Sequence, residues 1–230
     1  MSDKEEDNFI IKYSGEYGLI TQESKKWDDF EDYGEKKLLN LKIIKVRIYS
    51  GKFNDKDAIF GIGFTYLDLT NGKEIIVDHK GSDDFVDVKE LVIEQDEYLT
   101  DFHIRFTNES EYISQLGYTT NKGKLILIGS EEGENKYIHS NGGENIIIGT
   151  FGSFNKKLDA TGILFINKKE YFKRLLNGIF ILRYLVKKKP LFKEEWDKKQ
   201  KDLPLDFQFI WRAVNLPEDR LLYQIIRFSI

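Results

Sequence analysis

The stretch GTFGSFNKKLDATGILFI, residues 149–166, sets a loop rich in Gly, Ser, Asn and Lys between two apolar, strand-like runs, and the loop ends on Asp159 where the second run begins. A carboxylate at a strand entrance accepts hydrogen bonds from a polyhydroxylated ligand, and backbone N–H groups of so tight a loop can donate to the same ligand. That chemistry suits a sugar. The same pattern also describes an ordinary hairpin turn whose Asp caps its own backbone, as turn-forming Asp and Asn do routinely.

The hairpin is the last of a series. From Phe9 to Ile166, short β-rich runs recur at 38–49, 58–66, 74–78, 88–93, 102–106, 112–117, 124–128, 145–150 and 161–166, with Gly, Asn and Asp between them. Such spacing predicts an all-β sandwich, barrel or prism, and periodicity does not choose among the three. Phe60, Ile62, Phe64 and Tyr66 alternate cleanly, which predicts one buried and one wet face. Asn71-Gly72 is a hairpin signal. Asn54-Asp55-Lys56-Asp57 also reads as a turn, lacking the Gly and the later Glu of a calcium loop. Residues 1–8 are polar and predicted to be loose.

The 149–166 run resembles the last hairpin of jacalin-related lectins, whose pattern is roughly G-F-x-G-x-x-G-x-x-L-D-x-I-G; Gly149, Phe151, Gly152, Leu158, Asp159 and Gly162 stand in matching positions. Further landmarks of that family follow in order: SGEYG (14–18), WDD (27–29), GIGFTY (61–66), NGK (71–73), DHKGS (78–82) and EYISQLGYTTNKGK (111–124). The resemblance covers residues 9–166. It implies a β-prism I, three four-stranded antiparallel sheets around a common axis, in which the first strand returns beside the last. It also implies a non-catalytic sugar site in the loop Asn155, Lys156, Lys157, Leu158 and Asp159, with Asp159 accepting from two hydroxyls and the middle N–H groups donating. The family's loop is G-x-x-x-D, and Asn155 replaces its Gly; Asn is the next best residue for a left-handed backbone. The facing wall, a Gly-Gly turn in mannose binders, becomes Gly18-Leu19, where the Leu side chain could fill the sugar's place. Galactose-binding relatives use an amino terminus freed by cleavage, so in this uncleaved chain the implied preference is mannose or glucose.

Charge divides the chain. Residues 1–166 carry 20 Lys and Arg against 31 Asp and Glu, a net −11, whereas residues 167–230 carry 15 against 8, a net +7. The acidic part is unsuited to a nucleic-acid groove. After Ile166 the period becomes helical: Phe172, Leu175, Leu176, Ile179, Phe180, Leu182, Leu185 and Val186 form a stripe ending at Lys187-Lys188-Lys189-Pro190. Arg183 interrupts a run already too short for a membrane span. Pro217, Glu218 and Asp219 read as a helix start. Residues 167–230 are therefore predicted to be a mainly α-helical extension. Each buried Leu, Ile or Phe contributes about 2 kcal/mol, so its apolar side chains predict docking on the prism or on a protein partner.

Other chemistries find no pattern. There are no cysteines, and His79, His103 and His139 have no ligand spacing, so no metal or cofactor is expected. Nucleotide-binding and nucleophile-elbow motifs are missing, so an enzyme is not expected. The MSDKEEDNF terminus has no apolar signal core, which predicts a cytoplasmic protein. Two functions remain: a lectin domain using Asp159, or a structural subunit that has kept the prism, let the site decay and docks through 167–230.

Overall fold

The computed structural model of the protein describes residues 11–171, apart from 70, 71, 84, 95, 108–111 and 139–143. The chain divides into two compact units, Met1–Asp68 with Lys73–Asn167 and Leu69–Gly72 with Lys168–Ile230. The predicted extension from residue 172 onward, His139 and Asn71 lie outside the described residues. The first unit runs β1 (Ile11–Tyr13), β2 (Tyr17–Gly18), β3 (Lys25–Asp28), α1 (Asp29–Leu38), β4 (Leu41–Phe53), β5 (Lys56–Asp68), β6 (Glu74–Lys80) and β7 (Asp87–Val92). It continues with β8 (Leu99–Thr107), β9 (Tyr112–Thr120), β10 (Leu125–Gly129), β11 (Glu134–Ile138), β12 (Asn145–Phe154) and β13 (Leu158–Asn167).

One connection pattern occurs three times. A central hairpin, β4–β5, takes β6 on its second strand and β7 on its first. The β8–β9 hairpin takes β10 and β11 in the same places. In the third copy the central hairpin is β12–β13, but its outer strands come from the other end of the domain: β1 and β2 pair with β13, and β3 with β12. The third sheet joins the second through the single pair Ile147↔Leu99. The second strands of the three hairpins, β5, β9 and β13, pack on one another. This is the three-sheet prism that the resemblance implies, and its core holds Phe64, Phe102 and Tyr118, with ring centroids 5.9 Å apart for Phe64 and Tyr118 and 5.3 Å for Phe102 and Tyr118.

The repeat is backbone geometry more than sequence. Gly18 (φ 122°) and Gly129 (φ 108°) end the corresponding strands β2 and β10, and the next residue donates its N–H in the same way, Leu19 to Asp159 O at 3.0 Å and Ser130 to Ser114 O at 2.9 Å. A Cβ at either glycine would fall inside that carbonyl oxygen. Asp159 thus corresponds to Ser114, and the carboxylate belongs to the third sheet's copy alone of these two.

Two expectations change. The outer face of β5 is not wet: Gly61, Gly63 and Thr65 are buried like the inner residues. Arg47 lies across them, donating to Asp78 Oδ1 (3.0 Å), Thr65 Oγ1 (2.8 Å) and Phe64 O (3.2 Å), while Tyr49 donates to the same Asp78 oxygen at 2.8 Å. Second, residues 29–38 form a helix, α1, between runs whose pattern is that of strands. Its signals are present, with Asp28 as N-cap accepting from Phe30 N at 2.8 Å, carboxylates in the first turn and Lys36 and Lys37 in the last. Gly34 (φ 70°, ψ 158°) kinks it and interrupts the apolar stripe that would have shown it.

The WDD landmark is structural. Asp29 is fully buried and accepts from Tyr66 Oη at 2.5 Å and Thr150 N at 2.8 Å, tying α1 to the first and third sheets. Burial and this carboxylate hold the Tyr66 hydroxyl well above the usual phenol range. Trp27 stacks on His79 at 4.6 Å, and His79 Nε2 stands 3.7 Å from Asp29 Oδ1, so His79 is an interior residue.

Candidate functional site

Residues 155–157 join β12 to β13. Ser153 pairs with Ala160 but Phe154 pairs with Leu158, which leaves Asp159 as the extra residue of a bulge. A bulge frees a residue from the ladder and re-aims its side chain. Here it also frees the Asp159 carbonyl to receive Leu19 N, so the strand ending at Gly18 is fastened to the bulge, with Ala160↔Gly18 as the neighbouring pair.

Asp159 is 1% exposed, and each of its carboxylate oxygens already holds a donor. Oδ2 accepts from Ser24 Oγ at 2.7 Å, and Oδ1 from the Lys157 ammonium at 3.0 Å. Ser24 is itself held in a tight turn: its hydroxyl accepts from Thr21 N at 3.0 Å, and its N–H donates to Thr21 O at 3.2 Å. Lys157 is 7% exposed, with its ammonium 5.3 Å from the centroid of the Phe53 ring. Beneath it, Gly81 of the DHKGS landmark meets the backbone of residues 156–157 so closely that a Cβ would overlap it.

Of the residues expected at the site, Gly18, Asn155, Lys157, Leu158 and Asp159 come together, and Lys156 stands beside them, exposed. Leu158 is fully buried, so it can offer a ligand its backbone only. Asn155 needs no left-handed backbone, because among the described non-glycine residues only Asn54 and Asp55 have positive φ. It instead joins the loop to the 21–24 turn, its amide donating to Glu23 Oε2 at 3.2 Å. Leu19 is 43% exposed beside Gly18. Sequence reasoning missed Ser24, Glu23, Phe53 and Gly81. A Thr with a Ser three residues on is a turn signal, but nothing local says that this Ser reaches a carboxylate 135 positions away.

An ionised carboxylate accepts about four hydrogen bonds, so Asp159 has acceptor capacity left, yet a ligand reaching it must first move Lys157 or Ser24. Among the described residues no group of three or more His, Asp or Glu could hold a metal ion, and no helix is long and apolar enough to cross a membrane.

The family model of the Jacalin-like lectin domain matches residues 14–164. Jacalin-related lectin 44 of Arabidopsis thaliana is 30% identical over 145 residues, 62% of this chain. The match spans only 22% of that relative's length. Among solved structures, the mannose-binding jacalin-related lectin from Ananas comosus is 17% identical at a TM-score of 0.53, with 69% of this chain and 99% of that chain covered. Malaysian banana lectin is 21% identical at 0.52, covering 68% and 99%. The Calsepa lectin, solved with a biantennary N-glycan, is 19% identical at 0.53, covering 68% and 97%. At such identities these structures speak for the fold. The family consists of non-catalytic carbohydrate-binding proteins, and with its domain matched over residues 14–164, this chain belongs to the jacalin-like lectin family.

Proposed function

We propose that this chain binds carbohydrate, without catalysis, at the β12–β13 turn, taking a mannose- or glucose-type pyranose. Asp159 accepts from sugar hydroxyls, the backbone of residues 155–158 frames the sugar and Gly18 forms the facing wall. The observation that carries this reading is the pairing of Gly18 with Ala160 beside the Asp159 bulge, which joins the two halves of such a site from opposite ends of the domain. One of the solved structures of the same fold is described as mannose-binding and another as a complex with mannotriose, which supports the choice of sugar. A shallow polar site for one sugar binds weakly, and lectins gain strength from several sites at once. Calorimetric titration with methyl α-mannoside should give a weak saturable signal that Asp159→Ala removes while the far-UV spectrum stays that of the wild type.

A second reading rests on the closed state of Asp159, whose two oxygens are each engaged within the chain. In it the carboxylate has become a structural tie, and the protein is a subunit that docks through residues 167–230. Wild type then gives no signal with any mannoside or glucoside, and deleting 167–230 releases it from its complex.

A further inference from the structure

The Lys157–Asp159 pair that closes the site also suggests what would open it. A neutral pyranose has to displace an ammonium from a carboxylate, giving up the attraction between two opposite charges for a hydrogen bond from an uncharged hydroxyl. It also leaves the Lys157 ammonium without its partner in a pocket where the residue is only 7% exposed. A saccharide bearing an anionic group avoids both penalties. The anion takes the ammonium, which has three donors to distribute, and the Asp159 oxygen it leaves becomes free for hydroxyls.

The rim has the matching sign. Lys156 on the loop is exposed, and so are Lys25 and Lys26 on β3, paired across from Phe154 and Ser153 at the adjoining end of β12. Among the described residues neither Lys25 nor Lys156 makes an ion pair, and Lys26 has Glu16 near enough for Glu16 to feel its charge. The opposing carboxylate at the loop, Glu23, accepts from the Asn155 amide. Lys25, Lys26, Lys156 and Lys157 thus lie at this end of the β12–β13 hairpin, against Glu16, Glu23 and Asp159, in a segment whose overall charge is −11. Cations clustered in this way raise the local concentration of an anionic ligand.

We propose that Lys157 makes this site selective for a pyranose carrying an anionic substituent, such as a phosphate ester, over the neutral sugar. The proposal rests on the carbohydrate reading of the β12–β13 turn. The test titrates the full chain at low salt with methyl α-mannoside, mannose 1-phosphate, mannose 6-phosphate and inorganic phosphate, and repeats the series with Lys157→Met, Lys157→Arg and Asp159→Ala. The expected result is that at least one phosphate ester binds wild type ten times or more tightly than the methyl mannoside. That ratio falls towards one in Lys157→Met, through tighter neutral binding and weaker ester binding, persists in Lys157→Arg and shrinks with added salt. If Lys157→Met fails a thermal-melt check for folding, the triple variant K25Q/K26Q/K156Q serves instead, with the ester preference expected to drop several-fold. Equal binding of ester and neutral sugar, both lost in Asp159→Ala, overturns the selectivity and leaves the carbohydrate reading standing. Inorganic phosphate binding as tightly as the esters, unaffected by Asp159→Ala, reduces the site to a simple anion patch and overturns the proposal. No binding of any sugar to wild type or Lys157→Met overturns the carbohydrate reading and the proposal with it.

Discussion

Asp29 and Asp159 are both buried carboxylates, and the difference between them lies in what donates. Asp29 is held by a phenol and a backbone N–H in the interior, with no mobile group among those two donors. Asp159 is held by a serine on a turn and by the end of a long lysine side chain. The first is therefore an interior cross-tie, and the second is the carboxylate that the proposed sugar site would have to release. Truncating Asp29 to Ala strands the Tyr66 hydroxyl and the Thr150 N–H, each at a cost of about 1–3 kcal/mol. Urea unfolding of Asp29→Ala should show a loss of about 2–5 kcal/mol; a midpoint unchanged from wild type would show that the network is not a tie.

At the level of elements, the hairpin turns carry the prism's regularity and also its weak points. Asn54 and Asp55 link β4 to β5 with φ of 52° and 63°, the left-handed pair of a tight two-residue hairpin. Asn tolerates that conformation better than most residues and Gly better still, whereas Asp at the second position is held there against its steric preference. Asp55→Gly should therefore raise stability by about 0.5–1 kcal/mol, read as a higher urea midpoint with unchanged slope. The β12–β13 turn is built differently. It has three residues, and the bulge beside it, which carries Asp159, recurs in the other two hairpins at Phe60 and Ser114, so the bulge belongs to the fold.

Across the whole prism, charges tie the sheets where the chain crosses between them. Glu94, Asp96 and Glu97 lie between β7 of the first sheet and β8 of the second, and they bond to the 121–124 turn of the second. Lys124 bonds Glu94 and the buried Glu97, and Lys122 bonds Asp96. Lys124 holds the Glu94 carboxyl below its usual range, and Lys122 does the same for Asp96. A carboxyl whose pKa is depressed on folding contributes stability at pH values above its unfolded pKa, and that contribution is lost as pH falls through the folded value. The domain should thus lose stability on going from pH 6 to pH 3. Lys122→Met, which leaves the Lys124 contact with buried Glu97 in place, should show a slightly flatter pH profile of the urea midpoint. Because Glu94 and Asp96 are exposed, the difference should be small and should shrink in high salt.

Much of this was legible in the residues. Nine strand runs, their turns and the loop ending on Asp159 show in the alternation and the punctuation by Gly, Asn and Asp, because side-chain periodicity and left-handed backbone are local properties. Short β1, β2, β3 and β11 were not legible, since two to five residues are too few for a period, and each is a strand only because a longer neighbour supplies its hydrogen bonds. The threefold pattern was hidden for a related reason: the third sheet borrows its outer strands from the start of the domain, so the copies are permuted in sequence while equivalent in space. The closed state of Asp159 was beyond local reading altogether. Whether a carboxylate is open to a ligand depends on what folding brings to it, and here that is a serine 135 positions away and a lysine two positions away whose packing against Phe53 and Gly81 comes from another sheet.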